Sequence, residues 1–181
     1  MEKSMTVKPF VFITGSPGVG KTTLIIKVLE RVRGNYPNLP IHGATSFHRP
    51  TPASSLMGGR AAPKVGKYYV DVGQFEDLAL AELAKNAAQE AGNDGNRLFL
   101  IDEVGKMELF IPGFFSAVWD GLNSDHAIVL GTIPVTKFGK EIPEVARIRN
   151  RPDVAVYVLT KSYREAMVDS VFSHIDSLVN R

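Results

Sequence analysis

A glycine-rich segment near the amino terminus carries the residue types that bind phosphate. The pattern G-x-x-x-x-G-K-[ST] is complete here, and its members are Gly15, Ser16, Pro17, Gly18, Val19, Gly20, Lys21 and Thr22. Glycines in this pattern let backbone N–H groups turn inward around an anion, and a following helix adds its positive N-terminal partial charge. Lys21 supplies a positive charge to the β- and γ-phosphates, and the Thr22 hydroxyl is a ligand for Mg²⁺. With Thr23, which follows directly, these residues predict a nucleotide-binding loop; the alternative is a glycine-rich turn without a ligand.

Two acidic residues, Asp102 and Glu103, directly follow an apolar run. A Walker B strand ends in this way: the first carboxylate holds Mg²⁺ and the second is free to orient or deprotonate the attacking water. An apolar run that ends in Asp-Glu is by itself more typical of a strand followed by a solvated acidic turn. Because a phosphate loop precedes it in the same small chain, we interpret Asp102 as a metal ligand and Glu103 as catalytic.

Two further residues are candidates for contact with the phosphates. Lys106, three residues after Glu103, can supply positive charge to the transition state, together with Lys21. Thr132 ends the third apolar run, at the edge where a parallel sheet presents groups to a ligand, so its hydroxyl can sense the γ-phosphate. The alternatives are a solvated loop lysine and a threonine that only ends a strand.

Other charged and titratable residues give weaker signals. Arg147, Arg149 and Arg151 precede a proline and could reach a base, a phosphate or a neighbouring subunit, or form a basic turn without a ligand. The histidines fall in no metal-ligand spacing and receive no role; they are His42, His48, His126 and His174.

Short apolar runs alternate with helix-patterned stretches, which is typical of βαβ units and predicts an α/β fold with a mainly parallel central sheet flanked by helices. Four runs are predicted to be central strands that are covered on both faces: Phe10–Ile13, Leu98–Ile101, Ala127–Leu130 and Val154–Leu159. Helices are predicted by apolar residues at helical spacing in 24–32, in 78–87 and in Met167, Val171, Ile175, Leu178 and Val179. Ser162 to Glu165 has the pattern of a capping box for the last helix.

The stretch 35–67 interrupts this alternation. It contains five prolines and the pair Gly58-Gly59, and its only strand candidate is Ile41–Phe47. A connection of this length suggests a mobile lid, a binding loop or a shortened module.

Composition limits the classes of protein that fit. Of 181 residues 44% are hydrophobic, enough for one domain with a continuous core, which we place at 1–181. The 21 basic and 19 acidic residues leave a net charge of +2, so overall charge does not favour a nucleic-acid partner. The absence of cysteine excludes disulfides, thiolate metal sites and a cysteine nucleophile. With no apolar run long enough for a membrane span or a signal peptide, we expect a cytoplasmic protein without a membrane partner.

The segments Gly15–Thr23 and Leu100–Leu109 together resemble the cancer-related nucleoside-triphosphatase family. Val65–Val72, Leu130–Pro134 and Ile148–Arg151 look like further segments of that family in the same order. The resemblance implies a P-loop NTPase fold with RecA-like strand order, in which an extra strand separates the two Walker strands. It also implies slow, Mg²⁺-dependent hydrolysis of several nucleoside triphosphates. Where the family has an additional basic and apolar hairpin, residues 48–63 contain no such strands, so a shortened variant is expected.

Three functions remain open at this point. The first is an NTP phosphohydrolase that releases NDP and phosphate, acts on ATP, GTP and other NTPs, uses Mg²⁺ and works as a monomer. The second is a small nucleotide or nucleoside kinase. A kinase needs an acceptor pocket, and it does not need a catalytic glutamate after the Walker B aspartate. The third is a nucleotide-dependent binding switch. Glu103 favours the phosphohydrolase.

Overall fold

The computed structural model describes residues 7–44, 64–65, 68–69, 95–136 and 139–181. Seven strands lie in these ranges: β1 Phe10–Thr14, β2 Ile41–Ala44, β3 Lys64–Val65, β4 Tyr68–Tyr69, β5 Arg97–Ile101, β6 Ala127–Thr132 and β7 Val154–Val158. Five of them form a parallel sheet in the order β2-β5-β6-β1-β7, and β3 pairs with β4 in a separate antiparallel hairpin. The α/β fold with a parallel sheet is therefore confirmed.

The strand order also confirms the predicted extra strand. β6 lies between β1, which leads into the phosphate loop, and β5, which ends at Ile101, directly before Asp102. One part of the strand prediction is wrong, because β7 is an edge strand of the described sheet and Val158 is 61% exposed. An uninterrupted apolar run does not distinguish a central strand from an edge strand whose exposed end borders a cleft.

Helices cover both faces of the sheet and are numbered α1 Lys21–Asn35, α2 Phe114–Gly121, α3 Pro143–Arg149 and α4 Arg164–Val179. Successive side chains of β1 point to opposite faces. Val11 and Ile13 pack with α1 and α4, whereas Phe10 and Phe12 pack with α2 and α3. The loop between β1 and α1 is thus held by two cores, one on each face. No helix in the described ranges combines the length and apolar character needed to cross a membrane.

The predicted apolar stripe of the last helix is confirmed as core. Val171, Ile175 and Leu178 are buried, and Met167 and Val179 pack at the margin of the same cluster. The predicted capping box is wrong. A 3₁₀ turn already occupies 161–163, so the α-helix begins after Ser162, and no side-chain hydrogen bond caps it.

The connection 35–67 contains more strand than predicted. Besides β2, it includes β3, whose two residues are too few to produce a recognisable hydrophobic pattern. Residues 45–63, with the expected shortened module and His48, lie outside the described ranges. The helix predicted within 78–87 also lies outside them.

Candidate active site

The phosphate loop connects the carboxyl end of β1 to the first turn of α1. Val19 donates its N–H to the Ser16 carbonyl at 3.1 Å, which closes the turn, and its buried side chain anchors the loop in the core. Gly20 has φ of 103°, a left-handed conformation that other residues rarely adopt. Lys21 lies at the start of α1, and its Nζ is 3.3 Å from the Gly15 carbonyl oxygen. The backbone thus surrounds an opening with a lysine at its edge, as a phosphate site requires.

The two sequence motifs meet at one contact. Thr22 Oγ1 donates a hydrogen bond to Asp102 Oδ1 at 3.0 Å, although the residues are 80 positions apart. A hydroxyl and a carboxylate oxygen are hard ligands of the kind Mg²⁺ prefers, and Mg²⁺ is commonly held by one or two protein oxygens together with substrate phosphates. No group of three or more acidic, histidine or cysteine side chains within the described ranges is arranged so that it could hold a metal ion by itself. The residues present therefore fit a metal bound jointly with a phosphate chain.

The structure gives the Thr132 hydroxyl a different partner from the expected phosphate. The side chain is 1% exposed, and Oγ1 donates a hydrogen bond to the Asp102 carbonyl. The Thr132 carbonyl in turn accepts the N–H of Val104 at 2.9 Å. Thr132 therefore joins the ends of β5 and β6 on either side of Glu103, which fixes the backbone from which the Glu103 carboxylate projects.

A second glutamate, Glu108, supports the turn after Glu103. Its Oε2 accepts the N–H of Gly105 at 3.1 Å, and its side chain is buried. A Cβ on Gly105 would lie 2.9 Å from Glu108 Oε2 and 3.2 Å from Glu103 Oε1, so a side chain at this position would displace both carboxylates. Glu108 is not among the site residues predicted from the sequence. Its position five residues after Glu103 was visible, but its burial depends on the tertiary fold.

Burial raises the pKa of the Glu108 carboxyl to about 7. The negative charges of Glu103 and Asp102 raise it further, whereas backbone hydrogen bonds, including that from Gly105, favour the ionised form. Glu108 is therefore protonated in the folded protein under mildly acidic conditions in which an exposed glutamate is ionised.

Glu108→Gln is expected to remove a pH-dependent part of the folding stability. Because the folded pKa is raised from 4.5 to about 7, the folded state binds more protons than the unfolded state in this window, and stability falls as the pH rises. Glutamine has no proton to lose. The free energy of unfolding of the variant relative to the parent should therefore rise by about 3 kcal/mol from pH 4.5 to pH 7.

Urea denaturation in EDTA at both pH values measures this difference. Glu30→Gln, at an exposed position of α1, is the matched control and should show no such change. A pH-independent difference between Glu108→Gln and the parent would mean that Glu108 titrates normally.

A cleft of about 730 Å³ opens beside the phosphate loop. Its walls include the predicted Lys21, Thr22, Thr23, Glu103 and Lys106, together with two charged residues outside the predicted site, Lys140 and Glu141. Three lysines thus border the described part of the cleft, which favours an anionic ligand. Lys140 and Glu141 follow β6 without any motif, so only the fold brings them to the site.

The arginines of the 147–151 segment have partners within the protein. Arg151 pairs with Asp153 at 2.7 Å and donates to the Leu122 carbonyl. Arg149 pairs with Glu141 at 3.1 Å, and the Arg147 guanidinium lies 4.5 Å from the ring centre of Trp119. Arg149 thus supports the wall of the cleft through Glu141, and Arg151 ties β7 to the end of α2.

The described histidines are dispersed. His42 stacks on Phe99, and His174 bonds to Tyr157 and to the Lys8 carbonyl. Burial lowers the pKa of His174. These partners give the two rings structural contacts away from the loop.

Comparison with known proteins gives a consistent result. A family model described as NTPase matches residues 10–49 and 53–172. The human cancer-related nucleoside-triphosphatase is 38% identical to this chain, over 92% of the chain and 96% of that protein. The nucleoside-triphosphatase THEP1 of Aquifex aeolicus is 31% identical, over 92% of the chain and 98% of that protein.

Two solved structures are similar to the fold described above. The solution structure of a human cancer-related nucleoside triphosphatase aligns with a TM-score of 0.72 and 35% identity, covering 93% of this chain and 97% of that one. The crystal structure of THEP1 from Aquifex aeolicus aligns with a TM-score of 0.67 and 29% identity, covering 91% and 97%.

Proposed function

The chain belongs to the NTPase family and is a nucleoside-triphosphatase, and from this premise we propose that it hydrolyses the γ-phosphate of nucleoside triphosphates with Mg²⁺, giving NDP and phosphate. The observation that carries the proposal is the 3.0 Å contact between Thr22 Oγ1 and Asp102 Oδ1, with Glu103 and Lys21 in the same cleft. A pair of candidate metal ligands, a cation and a carboxylate near one opening support the proposal.

Each residue has a distinct part in the proposed reaction. The N–H groups of the 15–20 loop and Lys21 bind and orient the β- and γ-phosphates. Thr22 and Asp102 would hold Mg²⁺, which neutralises charge on the phosphate oxygens. Glu103 orients a water molecule in line with the leaving oxygen and accepts its proton. Lys106 and Lys140 line the same cleft and offer positive charge to the negative charge that accumulates during transfer.

Thr132 and Glu108 act through the backbone in this proposal. Thr132 holds the Asp102 carbonyl and the Val104 N–H, and Glu108 holds the Gly105 N–H. Together they brace both sides of Glu103. A carboxylate that activates water must keep its position to within about 0.5 Å, so these hydrogen bonds are part of the catalytic geometry.

We also propose broad base tolerance and a cytoplasmic location. The described residues that line this cleft, and those that line a smaller cleft on the other side of Gly20 and Thr23, include no amide or aromatic side chain to select one base. We expect ATP, GTP, CTP and UTP to be substrates of a monomeric enzyme.

The direct test incubates the protein with each of the four NTPs, with Mg²⁺ or with EDTA, and with or without nucleoside and nucleotide acceptors. We expect free phosphate and NDP in equal amounts, formed only with Mg²⁺ and independently of an acceptor. A phosphorylated acceptor without free phosphate would identify a kinase and overturn the proposal.

Thr22→Ala is expected to weaken Mg²⁺-dependent NTP binding about ten-fold, with little effect on binding in EDTA, because the hydroxyl is proposed as a metal ligand and not as a phosphate donor. Titration calorimetry with and without Mg²⁺ measures both affinities. Thr22→Ser keeps the hydroxyl and should behave as the parent does. Equal losses with and without Mg²⁺ would argue against the metal role.

A further inference from the structure

A second, smaller cleft of about 140 Å³ lies on the other side of the start of α1. Its described walls include Leu24, Leu159, Arg164 and Val168. Gly20 and Thr23 line this cleft and also line the large one. The two clefts therefore meet across the last glycine of the phosphate loop and the first turn of α1. We call the smaller one the α4 cleft.

The strand order determines which end of a bound triphosphate would face the α4 cleft. Asp102 and Glu103 directly follow β5, and β6 separates β5 from β1. In the proposed function the metal and the γ-phosphate therefore lie on the β5 and β6 side of the loop. β7 is on the opposite side of β1, and the Leu159 N–H is bound to the Thr14 carbonyl at 2.7 Å. The nucleoside half of the bound substrate would then extend from the loop past Thr23, towards the residues that follow β7.

Arg164 lies on the side towards which that nucleoside half would extend. Its Nε lies 3.8 Å from the position that a Cβ on Gly20 would occupy, so the guanidinium reaches the loop itself. The neighbouring Glu165 is engaged by Lys27 at 2.7 Å, and Arg164 has no ion pair within the described ranges. Tyr163, the preceding residue in the chain, is 64% exposed. A planar guanidinium can stack on the face of a nucleobase.

We propose that the α4 cleft receives the nucleoside half of the NTP, with the Arg164 guanidinium stacked on the nucleobase. This inference rests on the proposed function, because it takes the direction of the substrate from the positions of Asp102 and Glu103. Stacking on a guanidinium depends on the face of a base and not on its hydrogen-bonding edge. The contact therefore adds affinity for every NTP and is compatible with broad base tolerance.

The test compares binding of Mg·ATP, Mg·CTP and Mg·tripolyphosphate to the parent and to Arg164→Ala. Tripolyphosphate has the phosphates and no nucleoside. We expect the variant to bind both NTPs about ten-fold more weakly and to bind tripolyphosphate within two-fold of the parent. The control is Arg33→Ala, which removes an exposed arginine near the other end of α1 and should leave all three affinities unchanged. Circular dichroism confirms that each variant is folded.

If Arg164→Ala binds NTPs as tightly as the parent does, the inference is wrong. The proposed function would still hold in that case, provided that the parent hydrolyses NTPs. An equal loss for NTPs and tripolyphosphate would also overturn the inference, because Arg164 would then be a phosphate contact. Failure of the parent to bind any NTP would overturn the proposed function and the inference together.

Discussion

Glu103→Gln is expected to lower kcat for NTP hydrolysis by about 10² or more while the NTP dissociation constant changes by no more than a few-fold. Glutamine keeps the size of the side chain and its hydrogen bonding but cannot accept the proton of the attacking water. That function matters in the transition state and little in the ground state, so turnover slows without a looser complex. Single-turnover hydrolysis and equilibrium binding measure the two quantities separately.

Two variants make this result specific. Asp102→Asn removes a proposed metal carboxylate and should weaken both Mg·NTP binding and turnover. Glu30→Gln makes the same chemical change at an exposed position of α1 and should leave both unchanged. If Glu103→Gln turns over at the parent rate, Glu103 is only the solvated end of β5 and the hydrolytic mechanism proposed here is wrong.

Lys21→Ala is expected to abolish measurable NTP binding, a loss of about 10² or more in affinity, with the fold intact. Among the described residues the ammonium group has one hydrogen bond, to the Gly15 carbonyl at 3.3 Å, so the described part of the fold depends little on it. Its charge is needed when phosphate enters the loop. Calorimetry measures the affinity and thermal denaturation checks the fold.

Arg33→Ala removes a positive charge near the other end of the same helix and is the control for a general electrostatic effect. If Lys21→Ala binds NTP as tightly as the parent does, residues 15–22 are a glycine-rich turn and not a phosphate loop.

The position of the loop and the strand order could be predicted because both depend on neighbours along the chain. Apolar runs of four to six residues become β1, β5, β6 and β7, and the loop residues follow β1 directly. The order β5-β6-β1 was expected from the resemblance and is observed. The edge position of β7 could not be read from its composition, since hydrophobic content is the same for an edge strand and a central one.

The partners of Thr132 show why side-chain roles were harder to predict. The threonine was expected to face phosphate because it ends a strand at the ligand-binding edge. In the fold Thr132 is buried, and its hydroxyl donates to the carbonyl of Asp102, which lies 30 residues earlier in the chain. Which neighbour a hydroxyl meets depends on how two strand ends align, and periodicity carries no information about that alignment.

The sequence by itself determined the α/β class, the phosphate loop and the acidic pair at the end of β5, because each is a pattern of adjacent residues whose chemistry requires those types at that spacing. Only the tertiary structure decided which distant groups complete the site. It brought Thr22 to Asp102, buried Glu108 behind Glu103 so that its pKa rises to about 7, and placed Arg164 beside Gly20. Burial and contact are set by the packing of whole helices and strands, and that packing sums many weak interactions between residues far apart in the chain.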